Sequence, residues 1–133
     1  MICITTNGST KSDGRAVMGC GIAKQAAELF PDLPLILGTK LQVFGNGLHY
    51  LKYYLDRGYT VASFPVKHFW DDKQADLKLI EQSCQDLVAS TMPEVSVALV
   101  RPGCGVGGRD WEKEVKPILA RYMDDRFIVV DNA

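Results

Sequence analysis

The run VSVALV, Val95–Val100, constrains the fold of this 133-residue chain more than any other stretch. It is an apolar run of strand length, and a strand without alternating polar residues is typical of a sheet that is covered on both faces. We therefore predict a central, doubly covered strand. Such a strand requires a layer of helices on each side of its sheet, which indicates a layered α/β domain.

The rest of the chain alternates between strand and helix patterns. ICITT at Ile2–Thr6 and FIVV at Phe127–Val130 predict the first and last strands. Three stretches have apolar residues at helical spacing: IAKQAAELF, which ends at the prolines 31 and 34, then ADLKLIEQSCQDLVAS, and DWEKEVKPILARYM, which Pro117 interrupts. The stretch Leu41–Phe64 is rich in aromatic and β-branched residues, and we predict two or three strands with tight turns there.

Composition limits the classes of function. Fifteen basic and sixteen acidic residues give a net charge of −1, so no overall field attracts nucleic acid or an anionic membrane, and a bound phosphate must be held locally. The start MICITTNGST has no signal-peptide pattern, and no apolar run is long enough to span a bilayer. Four cysteines lack CxxC spacing, which favours reduced thiols. We predict a single domain, residues 1–133, in the cytoplasm, with no cofactor and no metal.

Two glycine clusters each lie between a strand and a helix. VMGCGIA leads into the first predicted helix, and RPGCGVGGRDW follows the apolar strand. Loops at the carboxyl ends of neighbouring strands face one crevice in α/β proteins, and bare amides at helix N-termini bind anions there. We predict that these loops bind a phosphate-containing ligand through Met18, Gly19, Cys20, Gly21, Ile22, Gly103, Cys104, Gly105, Val106, Gly107 and Gly108. The alternative is that each cluster is only a tight turn.

Two common phosphate motifs do not account for these clusters. A Walker loop needs Gly-Lys-Ser or Gly-Lys-Thr, and the chain contains neither tripeptide. Residues 103–108 satisfy GxGxxG, but that fingerprint opens a unit with further strands, and only one predicted strand follows it here.

Three segments together resemble the macrodomain family. AVMGCGIA resembles its first ligand loop, RPGCGVGGRDW its second, and SFPVKHFW the lysine-bearing segment of one branch. ICITTNG and DDRFIVV are similar to a group of bacterial and phage macrodomain proteins described as ADP-ribose binding. The resemblance implies a three-layer α/β/α fold with a mixed central sheet. It also implies that the crevice takes ADP-ribose or an ADP-ribosylated macromolecule, with the diphosphate between the glycine loops and the distal ribose near Asn7.

The chain departs from the family at its start. Macrodomains generally have an additional first strand with a Gly-Asp whose carboxylate binds the adenine amino group, whereas here Met1 stands where that strand has already ended. No residue of this sequence matches that aspartate of the family. We expect a sheet that lacks the usual first strand, weaker selectivity for adenine, and an exposed edge through which the chain forms a homo-oligomer.

Lys67 in FPVK is the candidate catalytic residue. It matches the lysine of a branch similar to the human terminal ADP-ribose glycohydrolase and of a bacterial toxin–antitoxin branch that removes ADP-ribose from DNA. A lysine of lowered basicity can attack a ribose carbon as an amine nucleophile. The aspartate that works with the lysine in the first branch is replaced by Gly107, and Asp110 does not take over its role.

Several alternatives stay open at this point. Lys67 is either a weak ADP-ribosyl hydrolase nucleophile or a solvated lysine in a reader or oligomeric accessory module without catalysis. Cys20 and Cys104 at helix N-termini, with His68, are either a thiolate or zinc site or small residues that fill loop corners. The sequence does not distinguish protein, DNA, RNA and free metabolite as targets.

Overall fold

A computed structural model describes residues 1–131 of the chain. The strands are β1 (Ile2–Thr6), β2 (His49–Tyr54), β3 (Tyr59–Pro65), β4 (Val97–Val100) and β5 (Phe127–Val130). The helices are α1 (Gly21–Leu29), α2 (Leu33–Phe44), α3 (Leu77–Ser90) and α4 (Lys116–Tyr122), and a single π-helical turn, Trp111–Val115, leads directly into α4. No helix among the described residues is long and apolar enough to cross a membrane.

The strands form one mixed sheet in the order β2-β3-β1-β4-β5. β1 lies in the centre and is parallel to β3 and β4, β5 is parallel to β4, and β2 pairs with β3 in antiparallel orientation. Because four strands run in the same direction, the loops that follow β1, β3 and β4 all emerge at one edge of the sheet. These loops carry the segments that the sequence predicts as functional.

Helices cover the sheet on both faces, which confirms the predicted three-layer α/β/α arrangement. On one face α3, α4 and the π-helical turn bury a core that includes Phe64, Ile80 and Leu87. On the other face α1 and α2 bury a second core around Ile4, Leu33 and Leu37.

Helix α2 corrects the sequence prediction for residues 33–44. Pro34 was expected to end the preceding helix, but it lies in the first turn of α2, where its missing N–H has no partner to lose. The run LPLILGTKLQVF is apolar on nearly every side, so it has little helical periodicity to detect. The expected strands between Leu41 and Phe64 reduce to two, β2 and β3, joined by a turn at residues 55–58.

Strand β4 also differs from the prediction. It is an interior strand between β1 and β5, as predicted, but it is shorter than the VSVALV run and only one of its faces is fully buried. Val97 and Leu99 face the core under α3, whereas Ala98 and Val100 are half-buried on the opposite face. On that face α1 packs on β1 and α2 on β2.

Pro117 marks the change from the π-helical turn to α4. The Val115 N–H donates to the Asp110 carbonyl five residues earlier, and Pro117 then lies in the first turn of α4. A proline is tolerated in a first turn because its nitrogen needs no intrahelical partner there.

Candidate functional site

A crevice opens at the carboxyl ends of the parallel strands and has a volume of about 690 Å³, including its open mouth. Its walls come from the end of β1, the segment before α1, the segment after β3 and the loop after β4. This is the position at which ligands bind in open α/β sheets.

The first glycine loop presents the start of α1 to the crevice. Gly19, Cys20, Gly21, Ile22 and Ala23 all line it. Cys20 is the N-cap residue, and its side chain makes no capping hydrogen bond. Because a thiol is a weak acceptor, the first amides of α1 keep no side-chain partner. The N-terminus of α1 therefore offers free N–H groups and the positive end of a helix dipole to the crevice.

The second glycine loop contains glycines of two kinds. A Cβ atom on Gly103 would lie 2.8 Å from the Ala75 Cβ, and one on Gly107 would lie 2.6 Å from the Gly103 carbonyl oxygen, so packing inside the loop requires both glycines. A Cβ on Gly105 would meet no atom within 4 Å. Gly19 and Gly21 across the crevice have the same open space. These three glycines keep the crevice open between the two loops.

Most of the predicted ligand residues lie together in the crevice wall. Asn7, Gly19, Cys20, Gly21, Ile22, Lys67, Gly103, Gly105, Val106 and Gly107 line it. The structure places the other three behind the wall. The Met18 side chain is buried in the core under α1, Cys104 packs against the core under α3, and Gly108 faces residues 73 and 74.

Asn7 links the two ends of the connection between β1 and α1, residues 7–20. Its Nδ2 donates to the Val17 carbonyl at 3.1 Å, and its Oδ1 accepts from the Ser9 N–H at 2.8 Å. A primary amide has one further donor and one further lone pair, so Asn7 holds this wall and still has capacity for a ligand hydroxyl.

Lys67 is only 8% exposed and lies in the crevice wall. Its ammonium group has no ion-pair or hydrogen-bond partner among residues 1–131, and its backbone carbonyl accepts from Asn46 Nδ2 at 3.0 Å. Next to it, the His68 carbonyl accepts from the Gly8 N–H at 3.1 Å, and a Cβ on Gly8 would lie 2.7 Å from that carbonyl oxygen. The backbone of Lys67 is thus fixed from two sides while its amine stays free for a ligand.

Two polar residues near the glycine loops have structural partners outside the crevice lining. His68 Nε2 lies 2.8 Å from Asp76 Oδ2, and the other carboxylate oxygen of Asp76 caps α3 by accepting from the Lys78 and Leu79 N–H groups. The hydrogen bond from His68 and these amides lower the pKa of Asp76. Asp110 caps the π-helical turn by accepting from the Lys113 N–H at 2.8 Å. Its role in this structure is that of a cap.

The cysteine environments disfavour a thiolate in the second loop. Burial raises the pKa of Cys104, whose Sγ donates to the Pro102 carbonyl, and it raises those of Cys3 and Cys84 to about 12. Cys20 alone is exposed. Among the described residues no three His, Cys, Asp or Glu side chains are grouped so as to hold a metal ion.

Arg101 was not among the site residues predicted from the sequence. Arg101 directly follows β4, lines the crevice, lies 3.5 Å from Asp131 and has its guanidinium 5.0 Å from the centre of the Trp111 ring. Its position at the carboxyl end of a parallel strand is the signal that points to it. Trp70 also lines the crevice and is 61% exposed. Lys67 and Arg101 give the described lining two cations and no carboxylate, so the crevice favours anions.

Solved structures share this fold. No protein-family profile and no curated protein sequence matches the chain. The DarG macrodomain of Mycobacterium tuberculosis superposes with a TM-score of 0.76 and 24% identity over 99% of this chain and 89% of that one. The DarG macrodomain of Thermus aquaticus gives 0.73 and 22% over 98% and 89%. A structural-genomics target from Bacteroides thetaiotaomicron gives 0.69 and 16% over 98% and 88%.

The sheet order, the two helical layers and the crevice define an α/β protein with an open crevice at the carboxyl ends of its parallel strands. Near-complete superposition on two macrodomains identifies this arrangement as the macrodomain fold. The expectation drawn from the sequence resemblance is confirmed at the level of the fold.

Proposed function

We propose that the crevice binds ADP-ribose, free or attached to a macromolecule, with the diphosphate between the two glycine loops. The observation that carries the proposal is the open space at Gly19, Gly21 and Gly105. The packing of the core and the closure of the loop would both accept a side chain at Gly105. A phosphate that approaches the backbone amides would not, because it needs the space that a side chain would fill. The uncapped N-terminus of α1 and the cations Lys67 and Arg101 supply matching positive charge.

The chemistry of the lining favours one orientation of the ligand. Asn7, Lys67 and Trp70 line the crevice together with the glycine loops. We propose that the distal ribose lies beside Asn7 and Lys67, where its hydroxyls meet an amide and an amine. The macromolecule joined to that ribose would then leave the crevice past the exposed Trp70 ring.

We further propose a slow hydrolase reaction at Lys67. The lone pair of Nζ forms a bond to the anomeric carbon of the distal ribose, and the bond to the target breaks, so that the target leaves with the electron pair and takes a proton. Water then hydrolyses the ribosyl-lysine bond, which releases ADP-ribose and restores the amine. The described lining offers no carboxylate to take up the proton of the amine, which is why we expect the reaction to be slow.

The second candidate is a reader without catalysis. The observation that favours it is Gly107, which occupies the position of the catalytic aspartate in one lysine-dependent branch. A Cβ there would lie 2.6 Å from the Gly103 carbonyl oxygen and 2.9 Å from its Cα, so this loop conformation excludes a carboxylate at that place. A crevice that binds ADP-ribose and leaves it attached would serve as a recognition module.

Calorimetry should give equal affinities for ADP-ribose and for GDP-ribose, the same compound with guanine in place of adenine. The described crevice lining contains no carboxylate that could accept from the adenine amino group, and we attribute the binding energy to the diphosphate and the ribose. Titration of both compounds tests the binding proposal and its selectivity together. A strong preference for adenine would show that another residue reads the base, and absence of heat with either compound would refute ADP-ribose binding.

Cys20→Asp should weaken ADP-ribose binding while it stabilises the fold. Aspartate is a strong N-cap residue, so it would satisfy the free amides of α1 and contribute about 1 kcal/mol to stability. The same carboxylate would occupy the anion site and repel the diphosphate. Cys20→Ser is the matched control, because it caps without charge. Calorimetry and thermal unfolding of both variants measure the two effects, and tighter binding by Cys20→Asp would contradict the proposed anion site.

Four broader proposals accompany the function. We propose that residues 1–133 form one domain that acts in the cytoplasm with its cysteines reduced, which the four free thiols support. We also propose that the chain forms a homo-oligomer through an exposed sheet edge.

A further inference from the structure

The two edges of the sheet differ in how they are protected against pairing. Edge strand β2 has an irregular register between Tyr50 and Lys52, and the charged Lys52 pairs with Asp32 at 2.7 Å. Bulges and lysines of this kind prevent association of sheet edges. Strand β5, with the sequence FIVV, has neither feature, and among residues 1–131 no strand pairs with its outer edge. β5 is therefore the edge at which a further strand can add.

The hydrogen bonds to β4 determine which backbone groups of β5 face outward. The Val97 N–H donates to the Arg126 carbonyl at 2.9 Å, within the parallel register that places Val97 beside Phe127. In a parallel ladder the groups of alternate residues point to the same neighbour, so those of Ile128 and Val130 also face β4. The N–H and C=O of Val129 and the C=O of Phe127 then point to the free edge.

The side chains beside this edge are apolar and uncovered. Ile128 is 56% exposed and Val130 is 46% exposed. Both lie on the sheet face that carries α1 and α2, but those helices pack on β1 and β2. Phe127 and Val129 pack against the core on the opposite face. An added strand would find free backbone groups and two apolar side chains at the same place.

We propose that a second copy of the chain pairs with β5 in antiparallel orientation around a two-fold axis at Val129. A two-fold axis perpendicular to the sheet keeps corresponding faces of the two sheets on the same side. Even-numbered residues must therefore lie opposite even-numbered residues of the partner, and odd-numbered opposite odd-numbered. With the axis at Val129, its N–H and C=O bond reciprocally to those of the partner's Val129. Ile128 then lies opposite the partner's Val130, and the four exposed apolar side chains form one cluster.

The turn before β5 favours this register over its neighbour. The Phe127 N–H donates to the Asp124 carbonyl at 3.2 Å, so it is not available to a partner strand. An axis at Ile128 would place Phe127 opposite the partner's Val129 and would need that N–H, whereas the axis at Val129 uses only the outward groups of Val129 and the carbonyl of Phe127. Asp131 keeps its own ion pair with Arg101 at 3.5 Å in this arrangement. The edge is thus complementary to itself in hydrogen bonding and apolar contact.

The antiparallel pairing has a consequence for ligand binding, which rests on the proposed function. Two five-stranded sheets join into one sheet of ten strands, and the carboxyl ends of their parallel strands point in opposite directions. The two crevices then open at opposite ends of the dimer. Such a dimer binds two ADP-ribosyl groups on different molecules, or on distant parts of one molecule, and acts as a bivalent module.

Analytical ultracentrifugation of the ligand-free chain tests the pairing. We expect a reversible dimer, and we expect Val129→Pro to raise its dissociation constant about tenfold or more, because proline removes the two central N–H donors and leaves the bonds to β4 in place. Ile128→Lys with Val130→Lys should do the same through charge. Tyr53→Lys on the β2 edge is the matched control and should dimerise like wild type. Circular dichroism of each variant checks the fold.

Cross-linking separates the two registers. In a Cys20→Ser background, Val129→Cys should form a disulfide-linked dimer under mild oxidation, because opposed residues of a hydrogen-bonded pair have Cα atoms about 5.5 Å apart. A wild-type chain that is monomeric up to its solubility limit, or dimers that the β5 variants do not weaken, would overturn the proposal. So would cross-linking by Ile128→Cys in place of Val129→Cys. Since no ligand is present, these outcomes are independent of ADP-ribose binding.

Discussion

Gly105→Val should abolish ADP-ribose binding and leave the fold intact. Gly105 has no atom within 4 Å of its Cβ position, and its φ lies outside the left-handed region, so the backbone accepts a side chain. The valine methyl groups would occupy the space between the two loops that the diphosphate needs. Loss of two charge-assisted hydrogen bonds corresponds to an affinity lower by about 100-fold or more. Calorimetry measures the affinity, and circular dichroism with thermal unfolding measures the fold.

Two further glycine variants make this result specific. Gly47→Val, in the loop before β2, introduces the same side chain outside the crevice, where its Cβ meets only the His49 ring at 3.9 Å or more. It should bind like wild type. Gly107→Val should lower both binding and stability, because its Cβ overlaps the Gly103 backbone. Unchanged affinity in a folded Gly105→Val would remove the second loop from the site.

Lys67→Ala should abolish removal of ADP-ribose from an ester-linked or nucleic-acid substrate while ADP-ribose still binds within a few fold of wild type. The amine of Lys67 has no partner among the described residues, so its removal deprives the ribose of its nucleophile and disrupts no ion pair. Without a carboxylate in the described lining, the wild-type reaction should be slower by about 10²–10⁴-fold than with a full acid–base pair. Single-turnover assays over hours are therefore the appropriate measurement.

A second variant is needed because the aliphatic part of the Lys67 side chain is buried. Lys67→Met retains the apolar part of the side chain and removes the amine, so it should be as inactive as Lys67→Ala without a cavity. Lys73→Ala is the matched control, an exposed lysine on the same connecting segment outside the crevice lining. Equal rates for wild type, Lys67→Met and buffer would refute the hydrolase activity, and only the reader function would remain. Normal hydrolysis by Lys67→Met would show that another group performs the chemistry.

Local patterns were sufficient to predict much of the fold. The strands at Ile2–Thr6 and Phe127–Val130 have the predicted bounds, because β-branched runs next to polar loops have few alternatives. Helix α3 appears where Ile80, Cys84 and Leu87 define one apolar face. Helix α2 was missed because its apolar residues surround the helix, and periodicity cannot distinguish such a helix from a strand.

The candidate site was predictable as two glycine loops in one crevice but not in its details. Sequence alone treats all glycines alike, whereas the structure separates Gly103 and Gly107, which loop packing requires, from Gly105, which faces open space. Arg101 was missed because its role depends on the strand order, which brings the ends of β1, β3 and β4 together. The free amine of Lys67 likewise depends on contacts from Asn46 and Gly8, residues distant in sequence.

Amide NMR of the ¹⁵N-labelled chain during titration with ADP-ribose tests most directly whether the two glycine loops bind the ligand. We predict saturable shifts of the amide signals at residues 19–23 and 103–107, with smaller shifts at Asn7 and Lys67 and none at β2. ADP should shift the loop amides, and ribose alone should not. Absence of shifts with ADP-ribose, or shifts confined to residues outside these loops, would contradict the proposed function.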